Sequence, residues 1–141
     1  MDKNRLEIFC DGGARGNPGP GASSFIIFSN GKEIARQSMY LGKTTNNVAE
    51  YYGVLSALKW ISQNNTLTKD QGLVFNLDSQ LVVRQLTGVY KIKDIKLKEL
   101  TSKIIKLQEN LNRNISFNHI EREKNKLADW LVNKTIDENT I

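Results

Sequence analysis

Four acidic residues stand where the chain passes between elements or on its last helix: Asp11, Glu50, Asp78 and Asp129. Each has an ordinary structural use. Asp11 can open an Asp-Gly turn, and Asn47-Val48-Ala49-Glu50 has the spacing of a capping box. Asp78 can cap the helix that follows it, and Asp129 lies three residues after Lys126, within reach of an ion pair along a helix. Together the four mean something else, because carboxylates gathered at one edge of a sheet repel unless they are protonated or neutralised by cations. Mg²⁺ suits such a place: it takes oxygen ligands, keeps several waters, and binds through a few carboxylates plus substrate phosphates. With 1 cysteine and 1 histidine in the chain, a structural zinc site is excluded.

The stretch Asp11-Gly12-Gly13-Ala14-Arg15-Gly16-Asn17-Pro18-Gly19-Pro20-Gly21 is the second candidate feature. It reads as a compact turn whose small residues let backbone N–H groups and Asn17 approach a sugar-phosphate chain. Gly42-Lys43-Thr44 resembles the end of a P-loop, but Gln37 stands where that loop needs its first glycine, and the segment follows a strand without opening directly into a helix. Binding of a nucleoside triphosphate is therefore rejected.

The elements that position these residues follow from periodicity. Leu6, Ile8 and Cys10 alternate with polar or opposite-face residues, which predicts a strand ended by Asp11-Gly12-Gly13. The run Ser24-Phe25-Ile26-Ile27-Phe28 meets Ser29-Asn30-Gly31, a hairpin signal, and a third strand runs from Lys32 to Leu41. Tyr51, Val54, Leu55, Leu58 and Ile61 recur at helical spacing, predicting a helix that begins near Asn47. Gly72 to Leu77 reads as a buried strand, and a helix from Asp78 or Ser79 ends at Gly88. Leu97, Leu100, Ile104, Leu107 and Leu111 mark another helix, Ile115 to Ile120 a last inner strand, and Asn125 to about Ile136 a terminal helix. The order β-β-β-α-β-α-α-β-α implies an α/β fold, a mixed five-stranded sheet flanked by helices, in which functional groups gather where strands end and helices begin.

The 141 residues fit one domain spanning 1–141, and 39% hydrophobic with 25% charged residues is ordinary for a globular protein. A net charge of +5 and a pI near 9.4 favour a polyanionic partner, a signal that is non-specific by itself. Cys10 sits in an apolar run and reads as a buried free thiol. No apolar run approaches the roughly 18 residues that span a bilayer, and Met1-Asp2-Lys3-Asn4-Arg5 leads into an alternating segment, not a signal peptide's apolar region, so a cytoplasmic protein without a membrane partner is expected.

With these residues in view, the chain resembles the ribonuclease H type 1 family over nearly its whole length. Asp11-Gly12-Gly13 with Gly16-Asn17-Pro18-Gly19-Pro20-Gly21 matches the family's opening block, and Thr44-Thr45-Asn46-Asn47-Val48-Ala49-Glu50 the segment of the second carboxylate. Asp78-Ser79-Gln80 matches the third. Arg122-Glu123-Lys124-Asn125-Lys126-Leu127-Ala128-Asp129 is similar to the last block of the shorter archaeal and bacterial members.

The resemblance implies a ribonuclease H-like fold and a metal-dependent endonuclease that cuts the RNA strand of an RNA/DNA hybrid, leaving 5′-phosphate and 3′-hydroxyl ends. It implies two Mg²⁺ ions, with Mn²⁺ an alternative, held by Asp11, Glu50, Asp78 and Asp129. Asp11 would be shared between the ions. RNA 2′-hydroxyls would be met by Glu50, Asn17, Gln80 and backbone groups of Gly13 and Arg15, and the DNA strand by Thr45, Asn46 and Asn47. The chain departs from the family twice. A mobile histidine loop is missing: His119 falls in a strand context and reads as structural, so Arg122 is the expected assistant to turnover. The basic handle is also missing, and Tyr90 and Lys91 with the lysines that follow are expected to offer a DNA-strand groove. The expected partner is the hybrid, with duplex RNA left open as a second substrate, and the expected state is a monomer. A catalytically idle binding module of the same fold is the competing reading.

Overall fold

The computed structural model describes residues 5–140. The ends of the expected 1–141 domain, Met1-Asp2-Lys3-Asn4 and Ile141, lie outside the described residues. Five strands form one sheet in the order β3-β2-β1-β4-β5: β1 (Arg5–Ala14), β2 (Gly19–Ser29), β3 (Lys32–Thr44), β4 (Gly72–Leu77) and β5 (Ile115–His119). β1, β2 and β3 are antiparallel, while β4 and β5 run parallel to β1. The helices are α1 (Asn46–Gln63), α2 (Gln80–Leu86), α3 (Ile95–Leu111) and α4 (Lys126–Asn139), with a short 3₁₀ turn at Arg122–Lys124 before α4. This is the mixed α/β architecture expected from the element order.

The alternation in β1 sends Leu6, Ile8 and Cys10 into the main core, where they meet Phe25 and Ile27 of β2, Leu73, Phe75 and Leu77 of β4, and the apolar faces of α1 and α3. α4 covers the opposite face through Leu131 and Ala128 against Ile26, and Val132 and Ile136 against Ala22. The sheet is thus buried on both faces near its centre, which is why β2 and β4 read as continuous apolar runs. Asn30 (φ 52°) and Gly31 (φ 76°) turn β2 into β3, a geometry requiring left-handed backbone at both central residues.

Several expected boundaries move, each for a local reason. β1 does not end at Asp11-Gly12-Gly13 but continues to Ala14, because Gly12 and Gly13 still pair with Ser23 and Ala22 of β2. Gly12 is there for closeness: a Cβ on it would fall 2.2 Å from the Ala49 carbonyl carbon of α1. The turn comes later, at residues 15–18, closed by the Arg15 N–H donating to the Pro20 carbonyl at 2.9 Å. β2 and β3 likewise extend past their apolar runs along the same ladder. β5 is an edge strand, not an inner one, and its Ser116, Asn118 and His119 are exposed.

Candidate metal centre and catalytic cleft

Two parallel neighbours and one helix bring the carboxylates together. Asp11 lies inside β1, and Asp78 follows the end of β4, so the parallel pairing of these strands places both at one edge. α1 starts at that edge because β3 ends there, and its close passage over Gly12 lays Glu50 beside Asp11. Asp11, Glu50 and Asp78 each offer an oxygen within 4.8 Å of the others, an arrangement that could hold a metal ion. Asp129 of α4 joins them in a cleft of about 440 Å³ that also takes in Arg122, Gly13, Asn46 and Asn47.

The ordinary uses considered for these acids are not the ones the structure makes. Asp11 opens no turn; its Oδ1 accepts from the next N–H, Gly12, at 2.9 Å. The cap of α1 is Thr45, whose hydroxyl accepts from the Val48 N–H at 3.3 Å, so Glu50 sits two residues too deep to reach back. Ser79, not Asp78, caps α2. Among the described residues Lys126 forms no ion pair with Asp129, whose Oδ1 accepts from Asn133 Nδ2 at 3.4 Å.

The energetics of the cluster show what is left over. Burial and then the Asp78 carboxylate push the Asp11 carboxyl up to about 8, with Asp129 adding to the rise and the Gly12 N–H opposing it. Burial, Asp11 and Asp78 raise Glu50 well above the ordinary carboxylate range, and Arg122 offsets only part of this. Glu50 Oε2 is buried without a hydrogen-bond partner. An acceptor of this kind, buried in a crowd of like charges, is costly unless a cation meets it. The all-oxygen donor set and the orphaned oxygen fit a hard divalent cation. Beneath them, burial, Glu50 and Asp11 raise the Cys10 thiol, which is free and fully buried, as the sequence implies.

The remaining candidates divide. Asn17 Oδ1 accepts from the Asn46 N–H at 3.0 Å, and Asn46 Oδ1 accepts from the Ala14 N–H at 2.9 Å, tying the loop after β1 to the start of α1. Gly13, Arg15, Asn46 and Asn47 line the cleft; Asn17, Thr45 and Gln80 do not. The Arg15 guanidinium is held by Asp137 and by Asn133 of α4. Tyr90 and Lys91 are exposed beyond α2, away from the cleft lining, and the Arg84 guanidinium lies 5.2 Å over the Tyr90 ring. His119, exposed at the end of β5, is not in the lining, whereas Arg122 is. Sequence reasoning missed Val132, Asn133 and Ile136, which α4 presents to the cleft. Their helical spacing from Asp129 was the available signal.

A mixed sheet of this order with carboxylates at the ends of its parallel strands defines the ribonuclease H-like class. Residues 9–135 match the reverse transcriptase-like family. LC11-RNase H1, solved in complex with an RNA/DNA hybrid and recovered from compost, superposes with a TM-score of 0.91 at 42% identity, covering 96% of this chain and 99% of that one. The chain belongs to the ribonuclease H type 1 family. Ribonuclease HI of Halobacterium salinarum is 33% identical over 137 residues, 95% of this chain and 65% of that protein. A bifunctional protein of Mycobacterium tuberculosis is 33% identical over 135 residues, 94% of this chain and 36% of that protein. The chain thus spans about a third to two thirds of the length of these two curated relatives. No helix among the described residues is long and apolar enough to cross a membrane.

Proposed function

We propose that this chain is a single-domain endoribonuclease that hydrolyses the RNA strand of RNA/DNA hybrids. The observation that carries the reading is the cluster itself: three carboxylate oxygens within 4.8 Å of one another, with Glu50 Oε2 buried and unpartnered among them. Family membership supplies the class of reaction. Asp11 would be shared by two Mg²⁺ ions, Glu50 and Asp78 would complete one set, and Asp129 the other. Bound there, such ions provide a nucleophile at neutral pH and neutralise charge that develops on the phosphate in an in-line displacement.

The chain's own groups do the rest. Asp11 is buried with Asp78 and Asp129 as charged neighbours, so it would be the central holder of the cations that meet the phosphate. Arg122 lines the cleft near enough to lower the Glu50 carboxyl, and supplies a cation for the scissile phosphate or the departing product. Gly13, with no side chain in the way, lets a backbone approach the cleft floor, and the Asn46–Asn17 pair holds the neighbouring loop rigid against the sugar-phosphate chain. Water adds to phosphorus and the 3′-oxygen leaves as a hydroxyl, giving a 5′-phosphate and a 3′-hydroxyl. We assign the work to a monomer, with the exposed Tyr90 and Lys91 on the DNA strand. A chain whose one cysteine is a buried free thiol suits a reducing compartment, and we place it in the cytoplasm.

The test is cleavage of an end-labelled RNA/DNA hybrid in Mg²⁺, repeated in Mn²⁺, with EDTA and Asp11→Asn as controls. RNA-strand cleavage lost in both controls is the expected result. An inert protein in both metals refutes the reading, and a duplex-RNA arm decides the second substrate.

A further inference from the structure

Asn125 is the place where three carboxylate-bearing segments meet. It is 2% exposed and stands between the 3₁₀ turn and α4. Its backbone N–H donates to the Arg122 carbonyl at 2.9 Å, and its own carbonyl accepts from the Asp129 N–H at 3.1 Å, so one residue closes the turn and opens the helix. Its side-chain Nδ2 donates to the Cys10 carbonyl at 2.8 Å, next to Asp11 in β1. The same nitrogen lies 3.4 Å from Asp78 Oδ2.

The orientation of this amide is dictated by its surroundings. Both groups before Nδ2 are acceptors, a carbonyl and a carboxylate, so flipping the amide would set oxygen against oxygen. Asn125 Oδ1 is in turn buried without a partner. A residue wanted only to fill space would not be a carboxamide with one end stranded, since an unmet buried acceptor costs stability that an apolar side chain would avoid. The donor end is therefore what the site retains. It matters because Asp129 is not among the three residues whose oxygens already converge, and reaches them only through the seating of α4.

We propose that Asn125 is a positioning residue whose amide donor locks α4, and with it Asp129, against the Asp11, Glu50 and Asp78 cluster, so that the four carboxylates bind divalent cations as one unit. The proposal deepens the nuclease reading and rests on it for its chemistry. α4 is also held by ordinary packing, through Leu131 against Ile26 and by the Ser24 hydroxyl donating to the Ala128 carbonyl at 2.7 Å. The two kinds of attachment can be separated. Asn125→Asp keeps the shape and replaces the donor by an acceptor; Asn125→Ala removes the side chain; Leu131→Ala loosens the same helix without touching the amide.

Mn²⁺ binding to the full chain is measured by calorimetry, and hybrid cleavage is measured as kcat and KM separately. Both Asn125 variants should bind Mn²⁺ about 10-fold or more weakly and lose kcat by a similar factor with KM little changed, the size expected when a partner of a metal ligand is removed. Leu131→Ala should lower the melting temperature while Mn²⁺ affinity holds. Unchanged Mn²⁺ affinity in both Asn125 variants overturns the proposal, and so does an equal loss in Leu131→Ala. Failure of the unaltered protein to cut any hybrid refutes the nuclease reading instead, and the Mn²⁺ isotherms still decide the role of Asn125.

Discussion

Replacing Asp11 by Asn should make the metal-free protein more stable at alkaline pH. The Asp11 carboxyl is pushed from an ordinary 3.8 up to about 8 by burial and by its neighbours. At 1.36 kcal/mol per unit this would amount to about 6 kcal/mol if one group carried it alone. Asp78, Asp129 and Glu50 share the repulsion, so removing one charge should recover about 1–3 kcal/mol. The sign follows from proton counting. Between about pH 4 and pH 8 the folded protein holds a proton that the unfolded chain has released, so stability present below that window is lost as the pH rises through it. Urea unfolding in EDTA at pH 5 and pH 8 measures this: Asp11→Asn should gain on the unaltered protein between the two, and the Gly12 N–H should keep an acceptor in the Asn oxygen. Saturating Mg²⁺ should reverse the order, because ligand binding stabilises the chain that retains the whole donor set. A variant no more stable than the unaltered protein at pH 8 in EDTA would refute the claim that these charges are uncompensated.

Other substitutions test other parts of the site. Gly12→Ala forces a Cβ onto the backbone of α1 at Ala49 and Glu50; it should cost about 2–4 kcal/mol and most of the turnover, read by thermal melting beside the hybrid assay. Glu50→Gln and Asp78→Asn should leave circular dichroism intact while cleavage falls by about 100-fold or more, since each removes a donor from a metal-assisted step. His119→Ala, at an exposed strand end outside the cleft, should retain turnover within about threefold. A severe loss with normal melting would reassign the histidine.

The helices and the order of elements were legible because their apolar stripes are long, as in α3, where Leu97, Leu100 and Ile104 are buried on one face. The end of β1 was not. Asp-Gly-Gly is a turn signal by composition, and only the passage of α1 over Gly12 shows that the glycine is there for contact, a fact that lives in the packing of segments far apart in sequence. The edge position of β5 was hidden for a similar reason, since pairing order is not written in a strand's own residues. Asp11, Glu50 and Asp78 were legible as a set from their places at element junctions. Asn125 stands in the last motif without a legible role, because a carboxamide declares its partners only once the helix behind it is seated.

Cys10 gives the molecule an internal clock. It is the chain's 1 cysteine, it is sealed beneath Asp11, and its thiol is held protonated by burial and by the neighbouring carboxylates. A thiol reagent can reach it only when β1 and α1 part, so in the regime of fast reclosing the labelling rate counts the fraction of time the strand is uncovered. Cations that bind only the closed form should slow that count in proportion to their occupancy. One unmodified sulfur atom would then time the breathing of the cleft floor without any probe being engineered into it.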